Sequence, residues 1–493
     1  MSIMKKILSP ALALVIALSM LLVCLSLSGC AGTGGDENGN ENGNKGDGAP
    51  LSVIANGETN YVLVRSASAG SEEKSIVSDL RTDIRMNTAV MLDVVDDNGE
   101  IEEGKGKLIV GSTGLPETAD AASALGENQF RFLAVGDSVV IAASNSSCLD
   151  LAVDTFVTEY VKSDGITVPS NLDRTWQCEM QVNTRTVANP INDEGDDPDV
   201  VEHNGTYYYC WSGGNGVYVS KADSLDKISK SGGVKVYTAP SGTMYSSEYW
   251  APELHYLDGN WYIYVAADDG NDINHRMYVL KGTSQDPTRP FKMVGKISDP
   301  SDKWAIDGTV VFIKNEMYFV WSGWSGDNDF GNQKIYIAHM SDPTAIDGKR
   351  VQLSAHENSW EGGVNEGPYA LYANDTVYIV YSANGSWSDD YCLAYLKFTG
   401  TTPLRASSWE KSGSPILSKS TTAYGPGHAS IVQLADGSYW LVYHANLESG
   451  TGWSGRSVWI QPMTFKSNGD PKSLYPKKSV EFPIVKWVVS GEI

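Results

Sequence analysis

Val364–Gly385 reads VNEGPYALYANDTVYIVYSANG. Its second half, Thr376–Ser382, is rich in aromatic and β-branched residues and predicts a strand. Glu366 opens the apolar run before it. The arrangement occurs five times. NGTYYYCWS ends at Ser212, GNWYIYVA at Ala266, NEMYFVWS at Ser322, DTVYIVYS at Ser382 and GSYWLVYH at His444. Tyr208, Tyr262, Tyr318, Tyr378 and Trp440 hold one equivalent position. Asn204-Gly205, Asp258-Gly259 and Asp436-Gly437 are tight-turn signals ahead of three copies. Copies recur about every 55–60 residues, the spacing of a repeat array. Five copies predict an all-β five-bladed β-propeller, each blade a sheet of short antiparallel strands around one axis.

About ten residues before each aromatic strand, one strand plus a turn, stand Asp197, Glu253, Asp307, Glu366 and His428. Each lies in a polar or Gly/Pro-rich clump ahead of an apolar run: DDPDVV, WAPELHY, AIDGTVV, NEGPYAL and GPGHASIV. If the repeats are equivalent, four acids and a histidine converge on one central pit. A single acid at a strand start is more often a turn residue capping backbone N–H groups. A ring of turn-formers at matched positions would show no preference for ionisable groups.

In chain order, residues 1–29 read as a targeting leader. Lys5 and Lys6 precede an almost wholly apolar run, and Leu27-Ser28-Gly29-Cys30 resembles the lipobox of bacterial lipoproteins. That pattern implies lipid on Cys30 and a body tethered to the outer face of a cell membrane. An ordinary secretory signal or membrane anchor is the alternative. Residues 30–50, rich in Gly, Asn, Asp and Glu, read as a flexible linker. Residues 51–180 predict a small, non-catalytic α/β domain. Its strands are expected at 61–64 and 107–110, its helices at 71–86 and 148–160, and a hairpin at 129–143 turning at Gly136-Asp137. Asn183–Pro190 reads as a linker. The propeller is expected over 186–493.

The chain carries a net charge of −23, which argues against a nucleic-acid partner. Most of its 14 Trp and 25 Tyr are expected in strand packing, with a minority left to line the pit. Of six Cys, Cys148 and Cys178 are candidates to pair after export, and Cys210 and Cys392 read as buried thiols. No Cys/His spacing suggests zinc. The acids Asp268, Asp269 and Asp272 near His275 fit no calcium loop and read as a solvated loop. A monomer is expected.

DDPDVVEHNGTYYY, WAPELHYLDGNWYIY, WAIDGTVVFIKNEMYFVWSGW, NEGPYALYANDTVYIVYSA and YGPGHASIVQLADGSYWLVYHA resemble, in order, the blade motifs of glycoside hydrolase family 43. That family contains α-L-arabinofuranosidases, endo-arabinanases and β-xylosidases on a five-bladed propeller. The resemblance runs from about Asn189 to the C-terminus. It implies Asp197 as general base, Glu366 as general acid, and Asp307 as a third carboxylate that tunes the acid and orients substrate. Asp196 and Asp199 are rivals of Asp197 by charge; strand alternation does not separate Asp197 from Asp199. The reaction implied is single-displacement hydrolysis with inversion, which needs two carboxyl groups in opposite protonation states.

Trp250, Glu253, Trp324 and Arg456 are candidate substrate-binding residues, Trp324 at the outer rim. Core packing for Trp250 and a surface ion pair for Arg456 are the alternatives. The resemblance implies no cofactor for the chemistry. It does imply a structural calcium or other ion in the central channel, reached by His428 directly or through water; a His held by hydrogen bonds alone is the alternative. The expected function is release of a terminal pentose, α-L-arabinofuranose before xylose, from arabinose- or xylose-containing polysaccharide or oligosaccharide. A β-xylosidase or endo-arabinanase is the variant reading. A non-catalytic sugar-binding propeller is the reading from another class.

Overall fold

The structure is a computed structural model that describes residues 48–493. The leader and Cys30 lie outside the described residues. Most of the chain is β-structure, in many sheets.

Residues from Leu51 onward build an α/β unit around a seven-stranded sheet. Its order is Asp93–Asp96, Tyr61–Arg65, Gly106–Val110, Ser138–Ala143, Gln129–Val135, Asp173–Ala188, Ser479–Glu492. The first four strands pair parallel and the rest antiparallel. Helix Ser71–Thr88 buries the stripe Ile76, Leu80 and Ile84. They pack into one core with Leu149, Val153 and Phe156 of helix Ser146–Tyr160. Asn145 caps that helix by accepting from the Cys148 N–H. The predicted hairpin is present as Gln129–Val135 and Ser138–Ala143. Cys148 and Cys178 are both buried free thiols. Burial, and then the neighbouring Cys148, push the Cys178 thiol up to about 12.

Two features depart from the sequence reading. Residues 183–188, expected to be linker, continue the strand Asp173–Ala188. The last strand, Ser479–Glu492, pairs along it from Ala188 to Trp176 and so joins the sheet of the α/β unit. The partners are some 300 residues apart, and much of each is exposed. Both carry apolar alternation, Trp176, Cys178, Met180 and Val182 in one and Val480, Phe482 and Ile484 in the other, but nothing local to either says that they pair.

Five antiparallel sheets follow one another between these strands. They begin with inner strands Asp199–His203, Ser247–Leu257, Ala305–Ile313, Asn365–Ala373 and Tyr424–Gln433. The hairpins after the first four inner strands turn on two residues of positive φ: Asn204-Gly205, Asp258-Gly259, Lys314-Asn315 and Asn374-Asp375. That is the backbone of a type I′ turn, whose twist matches the flanking strands. Each inner strand touches the next, and the fifth touches the first.

Five buried clusters fill the seams between consecutive sheets. Val217, Val219, Ile263 and Val265 join the first to the second, and Tyr264, Val279, Phe319 and Tyr336 the second to the third. Val320, Ile337, Ile379 and Ala394 join the third to the fourth, and Tyr378, Leu393, Leu441 and Trp459 the fourth to the fifth. Val200, Tyr209, Trp440 and Val442 return from the fifth to the first, with Val480 and Phe482 of the last strand. The fifth sheet has three named strands. The chain entering the first sheet pairs alongside it: Ile191 N–H donates to Val458 O, and Val458 N–H to Asn192 O. The cycle is thus closed by hydrogen bonds as well as by apolar packing.

Candidate active site

Each inner strand carries a residue with a left-handed backbone, just before it in the first and within it in the other four: Asp197 (φ 42°), Ala251 (φ 40°), Asp307 (φ 55°), Gly367 (φ 53°) and His428 (φ 48°). Two residues on, Asp199, Glu253, Thr309, Tyr369 and Ser430 face Cys210, Tyr264, Val320, Val380 and Val442. These partners all lie two residues past the repeat's aromatic, so the five registers agree. In the last four sheets the pairing shifts across the left-handed residue. Such a bulge re-aims side chains. A left-handed non-glycine residue costs about 1–3 kcal/mol, and backbone strain of this kind concentrates at functional sites.

This register corrects the alignment drawn from sequence. Ala251, not Glu253, is the counterpart of Asp197 and Asp307. Glu253 belongs with Asp199, one layer deeper. Gly367 holds the position assigned to Glu366, and Glu366 stands one residue nearer the chain's entry to the strand. Ala251 and Gly367 precede Tyr262 and Tyr378 by the same interval that separates Asp197 from Tyr208 and Asp307 from Tyr318; taking the nearest acid instead of that interval is what misaligned Glu253 and Glu366.

Asp197, Asp307 and Glu366 nevertheless line one cavity of about 900 Å³, together with Trp250, Trp324, His428 and Arg456. Asp197 Oδ1 lies 3.2 Å from His428 Nδ1, 3.3 Å from His444 Nδ1 and 3.3 Å from Arg456 Nη1. Arg456 Nη2 holds Asp196 at 3.2 Å, so the guanidinium bridges two acids of one turn. Glu366 Oε1 accepts from Tyr391 Oη at 2.8 Å. Asp307 Oδ2 accepts from Gly367 N–H at 3.0 Å. Asp199 is turned away: its Oδ2 accepts from Leu254 N–H, and it lines a small deeper cavity with Glu253 and Tyr369. Of Asp197 and Asp199, Asp197 lines the larger cavity and Asp199 does not.

Electrostatics separates the two outer acids. Burial opposes ionisation of Asp197, but the positive charge that His428, Arg456 and His444 can present outweighs it and holds the carboxyl below its usual range. Burial lowers both imidazoles, His444 to about 4. Near pH 7 the cation over Asp197 is therefore Arg456. Glu366 goes the other way. Burial raises it to about 7, opposed by the Tyr391 hydrogen bond and helped by the charge on Asp197. Asp307 is raised by burial and then by Glu366. Glu253 is raised to about 8 by burial; its Oε2 meets His255 Nε2 at 3.0 Å.

The cavity wall is aromatic. Trp324 is 2% exposed and stacks on Trp304 at 4.6 Å and 9°, so it belongs to the inner wall and not the outer rim. Trp250 stacks on His275 at 3.9 Å. His275 and Asp268 are fully buried, with His275 Nδ1 3.1 Å from Asp268 Oδ2. Asp269 and Asp272 are exposed, as the sequence suggested, but Asp268 is buried and through His275 buttresses Trp250. Phe330, Trp387 and Trp453 form the exposed lip. Sequence reasoning missed Tyr391, His444, Trp304 and this lip. Tyr391 and Trp387 sit in a loop, SWSDDY, whose composition signals only a turn.

The donors around His428 do not make a direct ion site. Its Nδ1 is engaged by Asp197, and among the described residues no group of three His, Cys, Asp or Glu side chains is arranged to hold a metal.

A carboxylate held ionised and a carboxyl held protonated, facing an aromatic cavity, define a site for acid–base chemistry. Residues 187–471 match the model of Glycosyl hydrolases family 43, and the chain belongs to that family. It is 31% identical over 271 residues to an extracellular exo-alpha-(1→5)-L-arabinofuranosidase of Streptomyces avermitilis, covering 52% of this chain and 56% of that protein. It is 30% identical to a protein of the same description from Streptomyces chartreusis, covering 52% and 81%. The crystal structure of an alpha-L-arabinofuranosidase from Lactobacillus brevis superposes with a TM-score of 0.56 at 30% identity, covering 59% of this chain and 97% of that one. The match thus spans little more than half the length of the S. avermitilis relative.

Proposed function

We propose that this protein is an inverting glycoside hydrolase that releases a terminal α-L-arabinofuranose from plant cell-wall polysaccharide or its oligosaccharides. The five sheets are read as the blades of a closed five-bladed propeller, a reading supported by their cyclic packing. Asp197 acts as the base that takes a proton from the attacking water. Glu366 is the acid that protonates the departing glycosidic oxygen. Asp307 is a positioning residue, holding the backbone beside Glu366.

One observation carries the reading: two carboxyl groups lining one cavity are driven in opposite directions, Asp197 below its usual range and Glu366 to about 7. At neutral pH that leaves a base and an acid side by side, as glycoside hydrolysis requires. The arabinose preference rests on the relatives named above.

The test is a panel of arabinose- and xylose-containing oligosaccharides and aryl glycosides with products identified by NMR. Arabinose released one unit at a time supports the reading. Xylose release, or internal cleavage, moves the protein to the β-xylosidase or endo-arabinanase variant. Binding without turnover on the whole panel makes it a sugar-binding propeller.

Leu27-Ser28-Gly29-Cys30 supports a lipid anchor on an exported protein. Cys30→Ala should then release the protein from the membrane fraction. Retention of that variant in membranes would reject lipidation.

A further inference from the structure

We propose that Trp387 and Trp453 form the platform for the leaving-group sugar, the part of the substrate beyond the bond that is cut. This rests on the hydrolase reading above. Both indoles line the mouth of the cavity and remain 48% and 59% exposed. They meet edge to face, centroids 5.7 Å apart at 80°. Large apolar surface left in the open beside a polar cleft marks a contact site. Sugar rings present C–H faces that pack on indole while their hydroxyls stay in water.

The chain ties both rings to the acid–base pair. Glu366 pairs across its sheet with Ser382, and Trp387 lies on the loop that follows that strand. The same loop ends at Tyr391, which donates to Glu366. Trp453 O accepts from Arg456 Nε, and Arg456 holds Asp197. The acid must stand on the leaving group's side of the bond, because it protonates that oxygen. A platform on the loop that carries Tyr391, the acid's hydrogen-bond donor, therefore serves the departing sugar. The wall of Trp304, Trp324 and the half-buried Trp250 comes from the second and third sheets instead, and suits the pentose that is released.

The platform is built to stay open. Trp453 Nε1 donates to Ser386 Oγ at 3.0 Å, fixing one loop to the other. Gly450 N–H donates to Asp389 at 2.9 Å, a second tie between them. A Cβ on Gly385 would fall 2.5 Å from the Trp387 ring, so glycine there lets the indole lie against the backbone.

The experiment compares Trp387→Ala, Trp453→Ala and the double variant with wild type on arabinotriose and on methyl α-L-arabinofuranoside. The ratio of kcat/KM, trisaccharide over methyl glycoside, should fall about tenfold in the double variant, and Phe at both positions should restore part of it. An unchanged ratio overturns the proposal. Titration calorimetry on the Glu366→Gln background, with arabinotriose against arabinose, reads the same platform without turnover. A selective loss of trisaccharide affinity sustains the platform even if wild type hydrolyses neither substrate, an outcome that would sink the hydrolase reading alone. Equal loss for both sugars, or no loss, overturns it. Unaltered thermal unfolding of the variants shows that the loops, still tied through Asp389, have kept their fold.

Discussion

The backbone N–H of Gly367 donates to Asp307 Oδ2 at 3.0 Å, so the third sheet grips the fourth at the residue next to Glu366. Gly367 takes φ 53°, and a Cβ there would fall 3.2 Å from His428 and Ser382. The acid's position thus depends on a carboxylate in one neighbouring sheet and on a small residue beside the next. Asp307→Asn keeps an acceptor, whereas Asp307→Ala frees the strand. The alanine variant should lose about 10²-fold in kcat, the cost of a misplaced reacting group. The asparagine variant should lose less. Steady-state kinetics of the pair checks this, and equal losses would point to the charge of Asp307 instead of its grip.

Glu366→Ala removes the proposed acid. Hydrolysis of arabino-oligosaccharides should fall by about 10²–10⁴. An aryl arabinofuranoside with a nitrophenolate leaving group needs little protonation and should fall far less. Parallel kcat/KM measurements on the two substrates decide it; the same loss on both would remove Glu366 from the acid's role.

The pH profile of kcat/KM should be a bell with its alkaline limb near 7, where Glu366 loses its proton. Tyr391 donates to the charged form and so lowers this group. Tyr391→Phe should therefore move the alkaline limb to higher pH. Arg456 favours ionised Asp197, so Arg456→Gln should move the acid limb to higher pH. Limbs that stay put, or move down, contradict the assigned pair.

Stability should carry the same signature. The folded state holds the Glu366 proton up to about 7, against an ordinary 4.5. The folded state binds the proton more tightly than the unfolded chain, so wild type loses stability as pH rises from about 4.5 to 7. Glu366→Gln has no proton to lose. Its Tm advantage should be small at pH 5 and grow by about 2 kcal/mol equivalent at pH 8. Calorimetry at the two pH values checks it, and a difference independent of pH would mean the carboxyl is not raised.

The last strand should be essential to the closed fold. Phe482 is buried against Trp440 with ring centroids 5.0 Å apart, in the seam between the fifth and first sheets. Phe482→Ala should cost about 3–5 kcal/mol, read by denaturant unfolding. A loss below about 1 kcal/mol would make the strand an ornament on the sheet edge.

Much of this architecture is legible in the sequence because it repeats. Tyr208, Tyr262, Tyr318, Tyr378 and Trp440 occupy matching places in five sheets, and their partners keep one register. Asp197, Asp307 and Glu366 follow from the motifs that precede them. The alignment of the inner strands is lost only where the nearest acid stands off the repeat's interval, at Glu253 and Glu366, whose matched positions are the uncharged Ala251 and Gly367. Trp324 was misplaced on the rim because a tryptophan beside a turn reads as exposed until its stacking partner, Trp304, is known. The pairing of Asp173–Ala188 with Ser479–Glu492 joins segments far apart in the chain, and alternation within each does not name its partner.

The central claim is that Asp197 and Glu366 act from one cavity as base and acid in a single displacement. Proton NMR of the first sugar released from an arabino-oligosaccharide, recorded before mutarotation, tests it most directly. The account predicts β-L-arabinofuranose from an α-linked substrate. Release of the α-anomer would mean a covalent glycosyl intermediate and would contradict the assignment of Asp197 as a base acting through water.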